Sequence, residues 1–300
     1  MGVIGGSGFY EFLEDPEEVG VSTPYGEPTA RLAIGTVAGR RVAFLPRHGA
    51  GHRYPPHRIN YRANLWALRS VGVRQVLAPC AVGGLLPTVT PGDLVVPDQL
   101  VDRTSGRSGS YVETGAVHLP FADPYCGRLR ARLGAEQDVK AGGTMVVVEG
   151  PRFSTRAESQ HYAAQGWSLI NMTGAPEAQL AREMRLCYAP IALVTDMDAG
   201  VEEGGGVGQA EVFAAFERNI ERVKALLLRV IADLPEHGGC DCSTWADGID
   251  LTYEVPRRLV TSGGVVSPAE GSRPGRPAGR FRTPIAGRVA VPVEHMFVLG

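Results

Sequence analysis

The sequence has little net charge, few aromatic residues and no long apolar run. Its formal charge is −2 at pH 7, and aromatic residues make up 7% of its 300 positions. A chain this close to neutrality lacks the broad basic surface that proteins use to attract nucleic acids or anionic membranes. No uninterrupted apolar stretch approaches the ~20 residues needed to span a bilayer. We therefore expect neither a nucleic-acid partner nor a membrane partner.

Cysteine is also sparse, and an export signal is not evident. The chain enters an apolar stretch at 2–4 without the charged start and longer apolar run of a signal peptide. Its five cysteines are odd in number and scattered, a usage typical of reduced thiols, so we expect a cytoplasmic protein. Cys240 and Cys242, one residue apart, can form a strained disulfide or remain free.

What the sequence does contain is alternation between short β-branched runs and helical patterns. Its apolar content of 44% is ample for a sizeable core. The alternation predicts a single-domain α/β fold with a central mixed or parallel β-sheet flanked by helices. Strands are predicted at 2–5, 31–37, 41–46, 75–79, 93–97, 144–148, 168–170 and 189–194, and helices at 60–71, 124–133, 155–165, 175–185 and 209–234.

Composition changes near residue 255. The last 45 residues contain six Pro, seven Gly and seven Arg against two Glu, a local charge of +5, which leaves −7 for residues 1–255. Such a stretch is typical of irregular or disordered chain. We expect one domain over 1–255 and a largely disordered Pro/Gly/Arg-rich extension over 256–300, with no function assigned.

Two early segments have features of an anion site. Gly5-Gly6-Ser7-Gly8 follows the first strand, where backbone N–H groups and a hydroxyl can surround an anion, although a plain tight turn explains it equally well. The segment matches neither the dinucleotide fingerprint nor the P-loop. Arg47 ends the strand at 41–46, where its guanidinium could direct two N–H groups at a phosphate.

The histidines after this strand raise the question of a metal. His48, His52 and His57 lie within ten residues. Pro55 and Pro56 break any helix that would align them, and no Glu follows the first His as in H-E-x-x-H. We predict no metal site there.

Two carboxylates end the predicted strand at 189–194. Asp196 and Asp198, two positions apart, point the same way toward the edge of the sheet where open α/β folds bind ligands. Either Mg²⁺ or the amino group of an adenine would suit them. Gly83-Gly84 follows another strand, as a ligand edge or a sharp turn, and Phe153 precedes a helix, as a base-stacking or a core aromatic.

Taken together, these segments resemble the 5′-methylthioadenosine phosphorylase branch of the trimeric purine nucleoside phosphorylase family. The similarity runs from Gly2 to about Trp245, and its segments occur in the family's order. They are Ile4-Gly5-Gly6-Ser7-Gly8, Pro46-Arg47-His48-Gly49, Asn60-Tyr61-Arg62-Ala63-Asn64, Pro91-Gly92-Asp93, Glu149-Gly150-Pro151-Arg152-Phe153, Asn171-Met172-Thr173 and Thr195-Asp196-Met197-Asp198.

The resemblance implies a role for each matching residue. It implies Asp196 and Asp198 as catalytic residues. Phosphate contacts fall on Ser7, Arg47, His48, Ala81 and Thr173. Base and ribose contacts fall on Phe153, Ile170, Asn171, Met172 and Thr195. The pocket for the 5′-substituent falls on Gln209, Val212 and Phe213, with His118 where the family brings in a residue of the neighbouring subunit.

It also implies the substrate class. The branch selective for 6-oxopurines resembles this chain less at the base, since it has Glu and Asn where this chain has Ser154 and Asp196. A carboxylate repels a 6-oxo group and accepts from a 6-amino group, which favours adenine. Val212 and Phe213 suit an apolar 5′-substituent, but the polar Gln209 leaves 5′-deoxy and 5′-halogenated adenosines open.

The remaining expectations follow from the same resemblance. It implies a homotrimeric transferase of purine salvage that uses inorganic phosphate as co-substrate and needs no cofactor. The pair Cys240 and Cys242 is similar to the Cys-x-Cys of some heat-stable relatives, a resemblance that keeps a disulfide open beside the expected free thiols. The alternatives are a methylthioinosine or inosine phosphorylase, a hydrolytic nucleosidase and a nucleoside-binding sensor.

Overall fold

The computed structural model describes residues 1–6, 13–199 and 207–257 and the strand Val265–Val266. The chain divides into a compact unit, Met1–Ala269, and a second unit, Glu270–Gly300. Ser7, and all of the predicted extension except its first two residues and this strand, lie outside the described residues.

Twelve described strands and five α-helices follow one another along the chain. The strands are β1 (Gly2–Gly5), β2 (Glu14–Val21), β3 (Leu32–Val37), β4 (Arg40–Pro46), β5 (Gln75–Gly84), β6 (Leu94–Val96), β7 (Gln99–Arg103), β8 (Val139–Ala141), β9 (Thr144–Val148), β10 (Leu169–Asn171), β11 (Cys187–Met197) and β12 (Val265–Val266). The helices are α1 (Tyr61–Ser70), α2 (Gly127–Gly134), α3 (Arg156–Ala164), α4 (Gly174–Glu183) and α5 (Gln209–Asp233).

Strand β5 is the centre of a mixed sheet. It pairs in parallel with β1 at its start, antiparallel with β10 at its end, and in parallel with β11 along its whole length. From β1 the sheet continues through β4, β3 and β2 to β12, and from β10 through β9 to β7. Beyond β11 lie β6 and β8. The ends of β5, β10 and β11 are thereby brought together.

Two apolar cores stabilise this sheet. Helices α1 and α4 supply one core, with the fully buried side chains Leu65, Trp66, Leu68, Ala178 and Leu180. Helices α2 and α5 supply the other, with Leu129, Leu133, Val223, Leu227 and Val230. Burial of such side chains contributes roughly 1.5–3 kcal/mol each. The single-domain α/β fold with helices flanking a mixed sheet is confirmed.

Side chains cap the starts of two helices. The Asn60 side chain accepts a hydrogen bond from the Ala63 N–H, and Thr155 forms a reciprocal capping box with Glu158. These bonds satisfy backbone donors that the first helical turn leaves free. All five predicted helices are present, with boundaries that shift by no more than a few residues.

The structure corrects the sequence predictions at four strands and one turn. Strands β2, β7, β8 and β12 were not predicted. The alternative of a sharp turn at Gly83-Gly84 is wrong, because both glycines lie inside β5 and pair with β10 and β11. None of the helices in the described part of the chain is long and apolar enough to cross a membrane.

Candidate active site

A cavity of about 480 Å³ opens where β4, β5, β10 and β11 end. This volume suits a nucleoside-sized ligand, since small-molecule pockets span ~300–1,000 Å³. Arg47 and Asp196 both line it. Most of the predicted site residues share this lining: Arg47, His48, Ala81, Phe153, Ile170, Asn171, Met172, Thr173, Thr195, Asp196, Asp198, Gln209, Val212 and Phe213.

Two predicted site residues are not among the described residues that line the cavity. Ser7 lies outside the described residues, although the neighbouring Gly6 lines the cavity. His118 is exposed and does not line the cavity of its own chain. Such a position is compatible with a residue that acts at a neighbouring subunit.

The acidic end of the cavity depends on an irregularity in the β5–β11 ladder. Asp196 pairs with Gly83, and the register shifts by one residue between Val194 and Asp196. A bulge of this kind redirects side chains. A Cβ atom added at Gly83 would lie 2.9 Å from Ile170 Cγ2 and 3.3 Å from Asp196 Oδ2. Glycine at 83 therefore lets the base-side residues approach the strand.

Burial makes Asp196 a weak acid. Desolvation raises its pKa to about 6, the nearby charges of Asp198 and Glu211 act in the same direction, and the hydrogen bond from Thr195 opposes them. The Thr195 hydroxyl donates to Asp196 Oδ1 at 2.6 Å. Oδ2 is thus the oxygen that can hold a proton toward a ligand.

Asp198 is held by a residue that sequence reasoning did not select. The Ser159 hydroxyl on α3 lies 2.6 Å from Asp198 Oδ2, and the Asp198 N–H donates to the Gly84 carbonyl at 2.9 Å. Asp198 is 4% exposed. Its carboxylate is fixed beside Asp196 rather than free to move.

The opposite end of the cavity contains a neutralised arginine. Arg47 Nε and Nη2 donate to the two oxygens of Glu177 at 2.8 and 2.9 Å, and further bonds reach the carbonyls of Pro79 and Ile4. Burial alone would lower the pKa of Arg47, but the charge and hydrogen bonds of Glu177 outweigh it and raise that pKa. The predicted pair of hydrogen bonds from this guanidinium to a phosphate is therefore wrong in this geometry, because Nε and Nη2 already donate to the two Glu177 oxygens. Of the five N–H donors, one on Nη1 is left for a ligand.

His48 is neutral and has a defined tautomer. Its Nδ1 lies 2.8 Å from the Tyr54 carbonyl, which can only accept, so Nδ1 bears the hydrogen. Burial and the neighbouring ring of His52 lower the pKa of His48 to about 3. Its Nε2 is consequently an acceptor at the cavity wall.

Asn171 organises the turn between β10 and α4. Its Oδ1 accepts from the backbone N–H groups of Thr173 and Gly174 at 2.7 and 2.6 Å, and its Nδ2 donates to the Ala81 carbonyl at 3.0 Å. These bonds place Ala81 and Thr173 on one side of the cavity. The role of Asn171 toward a base or ribose stays a prediction.

Arg107 is a second residue that sequence reasoning missed. Its side chain is 4% exposed, and it donates to the carbonyls of Met172, Ala175 and Glu149 at 2.9, 2.6 and 2.6 Å. It therefore fixes the backbone on which Met172 stands. Its Ser- and Gly-rich surroundings in the sequence predict only a loop.

The third side of the cavity is apolar and partly open. The start of α5 supplies Val212 and Phe213, and Phe213 is 43% exposed. His52 stacks on His48 with ring centres 3.9 Å apart and meets Phe213 edge-on at 5.8 Å. His52 was considered only as a metal ligand, yet it links the two sides of the site.

The described part of the chain offers no metal-binding set in this cavity. The group of three or more His, Cys, Asp or Glu donors found among the described residues consists of four cysteines elsewhere. His57 is exposed. Among the described residues, Asp196 and Asp198 are not joined by a third His, Cys, Asp or Glu that could complete a metal site.

A family model described as the phosphorylase superfamily matches residues 1–232, which is most of the chain. The chain belongs to the phosphorylase superfamily. It is 56% identical over 257 residues to S-methyl-5′-thioadenosine phosphorylase of Mycolicibacterium smegmatis, covering 85% of this chain and 99% of that relative. It is also 56% identical over 272 residues to purine nucleoside phosphorylase of Streptomyces coelicolor, covering 85% and 97%.

Solved structures of this superfamily agree with the fold. The crystal structure of a methylthioadenosine phosphorylase from an Antarctic soil metagenomic library matches with a TM-score of 0.77 and 37% identity, covering 84% of this chain and 92% of that one. The resemblance inferred from seven short segments is thus confirmed over most of the chain.

The Arg47–Glu177 pair generates a stability prediction. Glu177→Gln leaves a buried guanidinium without its counter-charge and sets an amide N–H₂ against N–H donors, so we expect a loss of ~3–5 kcal/mol in the free energy of unfolding. The control, Asp138→Asn, breaks an exposed pair with Arg229 whose side chains are 43% and 47% exposed, and should cost less than ~1 kcal/mol. Urea and thermal unfolding measure both, and similar small losses would contradict the importance of the buried pair.

Proposed function

We propose that the protein cleaves the N-glycosidic bond of 5′-methylthioadenosine, or a similar 5′-modified adenosine, by phosphorolysis. The products are adenine and a 5-substituted ribose 1-phosphate. The observation that supports this most directly is one cavity with a weakly acidic carboxyl at one end and Arg47, Thr173 and Ala81 at the other. The names of the relatives at 56% identity point to the same reaction class.

The acidic end suits an adenine leaving group. As the glycosidic bond lengthens, the ribose acquires oxocarbenium character and the base gains electron density. Asp196 holds a proton on Oδ2 for N7 of the departing base and so stabilises it. Asp198, whose carboxylate is fixed by Ser159, is the proposed contact for the 6-amino group of the base. The Ser154 hydroxyl also lines the cavity and is buried with no hydrogen-bond partner among the described residues, so it is available to the base.

The other end suits the nucleophile. Ser7, Arg47, His48, Ala81 and Thr173 are the proposed phosphate contacts. The ion pair with Glu177 fixes the guanidinium while leaving one N–H toward the cavity. Phosphate bound there approaches C1′ from the face opposite the base, and its charge stabilises the developing cation. Met172, positioned through Arg107, lies under the ribose.

The 5′-substituent extends toward the partly open side. Gln209, Val212 and Phe213 are its proposed contacts on one chain, and His118 of a neighbouring subunit completes the pocket in a homotrimer. The edge-on contact between His52 and Phe213 supports an apolar substituent rather than a hydroxyl. The reaction uses no cofactor, and we place it in purine salvage in the cytoplasm.

A 6-oxopurine phosphorylase is the second candidate. The Streptomyces coelicolor relative bears the more general name purine nucleoside phosphorylase at the same identity. Against it stands Asp196, whose Oδ1 already accepts a hydrogen bond from Thr195 and whose carboxylate would repel a 6-oxo group. A 5′-halo-5′-deoxyadenosine is the alternative within the adenosine class, because Gln209 is polar.

The reaction class is tested with a substrate panel of methylthioadenosine, adenosine, inosine and 5′-fluoro-5′-deoxyadenosine, following free base with and without phosphate. We expect base release to require phosphate, and adenine to be favoured over hypoxanthine about ten- to a hundredfold, the value of one unmade buried hydrogen bond. Release without phosphate would identify a nucleosidase. Binding without release would identify a sensor.

The role of Asp196 is tested by Asp196→Asn. An amide can donate to a 6-oxo group but cannot transfer a proton to N7. We expect kcat/KM for methylthioadenosine to fall about a hundredfold while inosine phosphorolysis is spared. Asp138→Asn, on the surface far from the cavity, is the control. Equal losses with both substrates would contradict the assignment.

The pKa of Asp196 predicts how kcat/KM for methylthioadenosine changes with pH. Because this pKa is raised to about 6, the carboxyl holds its proton below pH 6 and loses it above, and roughly a tenth remains protonated at pH 7. The kcat/KM for methylthioadenosine should therefore decline as pH rises through 6. Asp196→Asn, which has no proton to lose, should abolish that limb and leave only the titration of phosphate. A limb that persists unchanged in the variant would exclude Asp196 as its source.

A further inference from the structure

Four of the five cysteines converge at one point away from the cavity. The Sγ atoms of Cys126, Cys187, Cys240 and Cys242 all lie within 4.8 Å of one another. They come from three separate parts of the chain: the residue before α2, the first residue of β11, and the turn that follows α5. The cysteines are scattered along the sequence, but the fold brings these four together.

The spacing of the sulfurs fits a single small cation. A tetrahedral zinc ion with Zn–S bonds of ~2.3 Å requires S···S separations of about 3.8 Å. The Sγ atoms of Cys187 and Cys240 are 3.4 Å apart, and none of the six separations exceeds 4.8 Å. Four sulfurs this close surround one ion rather than a cluster of several. Thiolate ligands in a tetrahedral set are typical of zinc.

The surroundings supply a second, independent indication. The Nη2 of Arg128 donates to Gln75 Oε1 and lies 3.8 Å from Cys187 Sγ, whereas its buried Nε and Nη1 have no hydrogen-bond partner among the described residues. Among the ion pairs of the described residues, none joins Arg128 to a carboxylate. Arg128 as a whole is half-buried, but covered guanidinium nitrogens without a counter-charge are unfavourable. Zinc bound by four thiolates has a net charge of −2 and would provide that counter-charge.

We propose that Cys126, Cys187, Cys240 and Cys242 form a structural zinc site, with Arg128 as its charge-compensating neighbour. Cys126, Cys187 and Cys242 are at most 2% exposed. Four protein ligands leave no open position for a substrate, which is the arrangement of structural rather than catalytic zinc. The site ties the segment after α5 to the start of β11.

The site is remote from the proposed reaction. Cys187 and Asp196 lie at opposite ends of β11, nine residues apart, which is about 30 Å at ~3.3 Å per residue. Loss of the metal should therefore lower stability and leave the chemical step unchanged at temperatures where the chain stays folded. The proposal is independent of which nucleoside is the substrate.

Zinc content and the number of free thiols, measured together, test the zinc site. Full-length protein is produced with zinc in the medium, purified without chelators or metal-affinity resin, and analysed by mass spectrometry for metals. Zinc binding predicts about one zinc per chain and, after denaturation with a chelator, all five thiols. If the protein has two disulfides, one thiol should be counted. If it has one disulfide, three thiols should be counted. Neither form should contain zinc. Five thiols without zinc would mean a bare reduced cluster. Each of these last three results overturns the proposal.

Variants locate the ligands. Cys242→Ser should lose nearly all zinc and unfold at a lower temperature, whereas Cys80→Ser, a buried cysteine outside the group, should keep it. Replacing zinc by Co²⁺ in the wild-type and Cys80→Ser chains should give the visible bands of tetrahedral thiolate coordination, absent from Cys242→Ser. If Cys242→Ser does not fold, the ligands are tested by titrating the wild-type chain with a mercurial reagent. Zinc should be released as the thiols react. Zinc retained after complete thiol modification, or in folded Cys242→Ser, would refute the assigned ligands.

Discussion

The parallel pairing of β5 with β11 is the constraint on which the rest of the site depends. Ten residues of β5 run beside β11, and the single register shift before Asp196 sets that carboxyl opposite a glycine. A side chain at Gly83 would occupy the space that Ile170 and Asp196 now fill. The acidic end of the cavity thus results from one ladder, one bulge and one missing side chain.

Charge is arranged differently at the two ends. At the acidic end, a carboxyl is buried beside another carboxyl, and desolvation makes the protonated form accessible near neutrality. At the other end, a guanidinium is buried together with its counter-ion, so its charge is already matched before any ligand arrives. The buried carboxyl is suited to proton transfer. The paired guanidinium offers a ligand a fixed hydrogen-bond geometry rather than a strong net positive charge.

Sequence patterns predicted much of this molecule, for physical reasons that differ by element. Helix α5 shows a clear apolar periodicity of three and four residues, and Thr155 is followed by Glu158 at the spacing of a capping box. Both features are visible in a short stretch of sequence. Strand β2 was not, because its Glu-rich start has the composition of a loop and only pairing with β3 makes it a strand. The cavity wall was located by family resemblance, but local patterns have no means of showing that Glu177 would occupy the fork of Arg47, or that Arg107 would hold Met172. Contacts between residues far apart in sequence, including the four cysteines, emerge only when the sheet is assembled.

The tautomer of His48 has a consequence for which anions this ring can pair with. With Nδ1–H committed to the Tyr54 carbonyl and its ring uncharged, the imidazole offers only a lone pair. Such a nitrogen accepts a hydrogen from hydrogen phosphate or hydrogen arsenate, whereas sulfate at neutral pH has none to give. An oxyanion of the same size and charge is thereby distinguished by whether it still bears a proton.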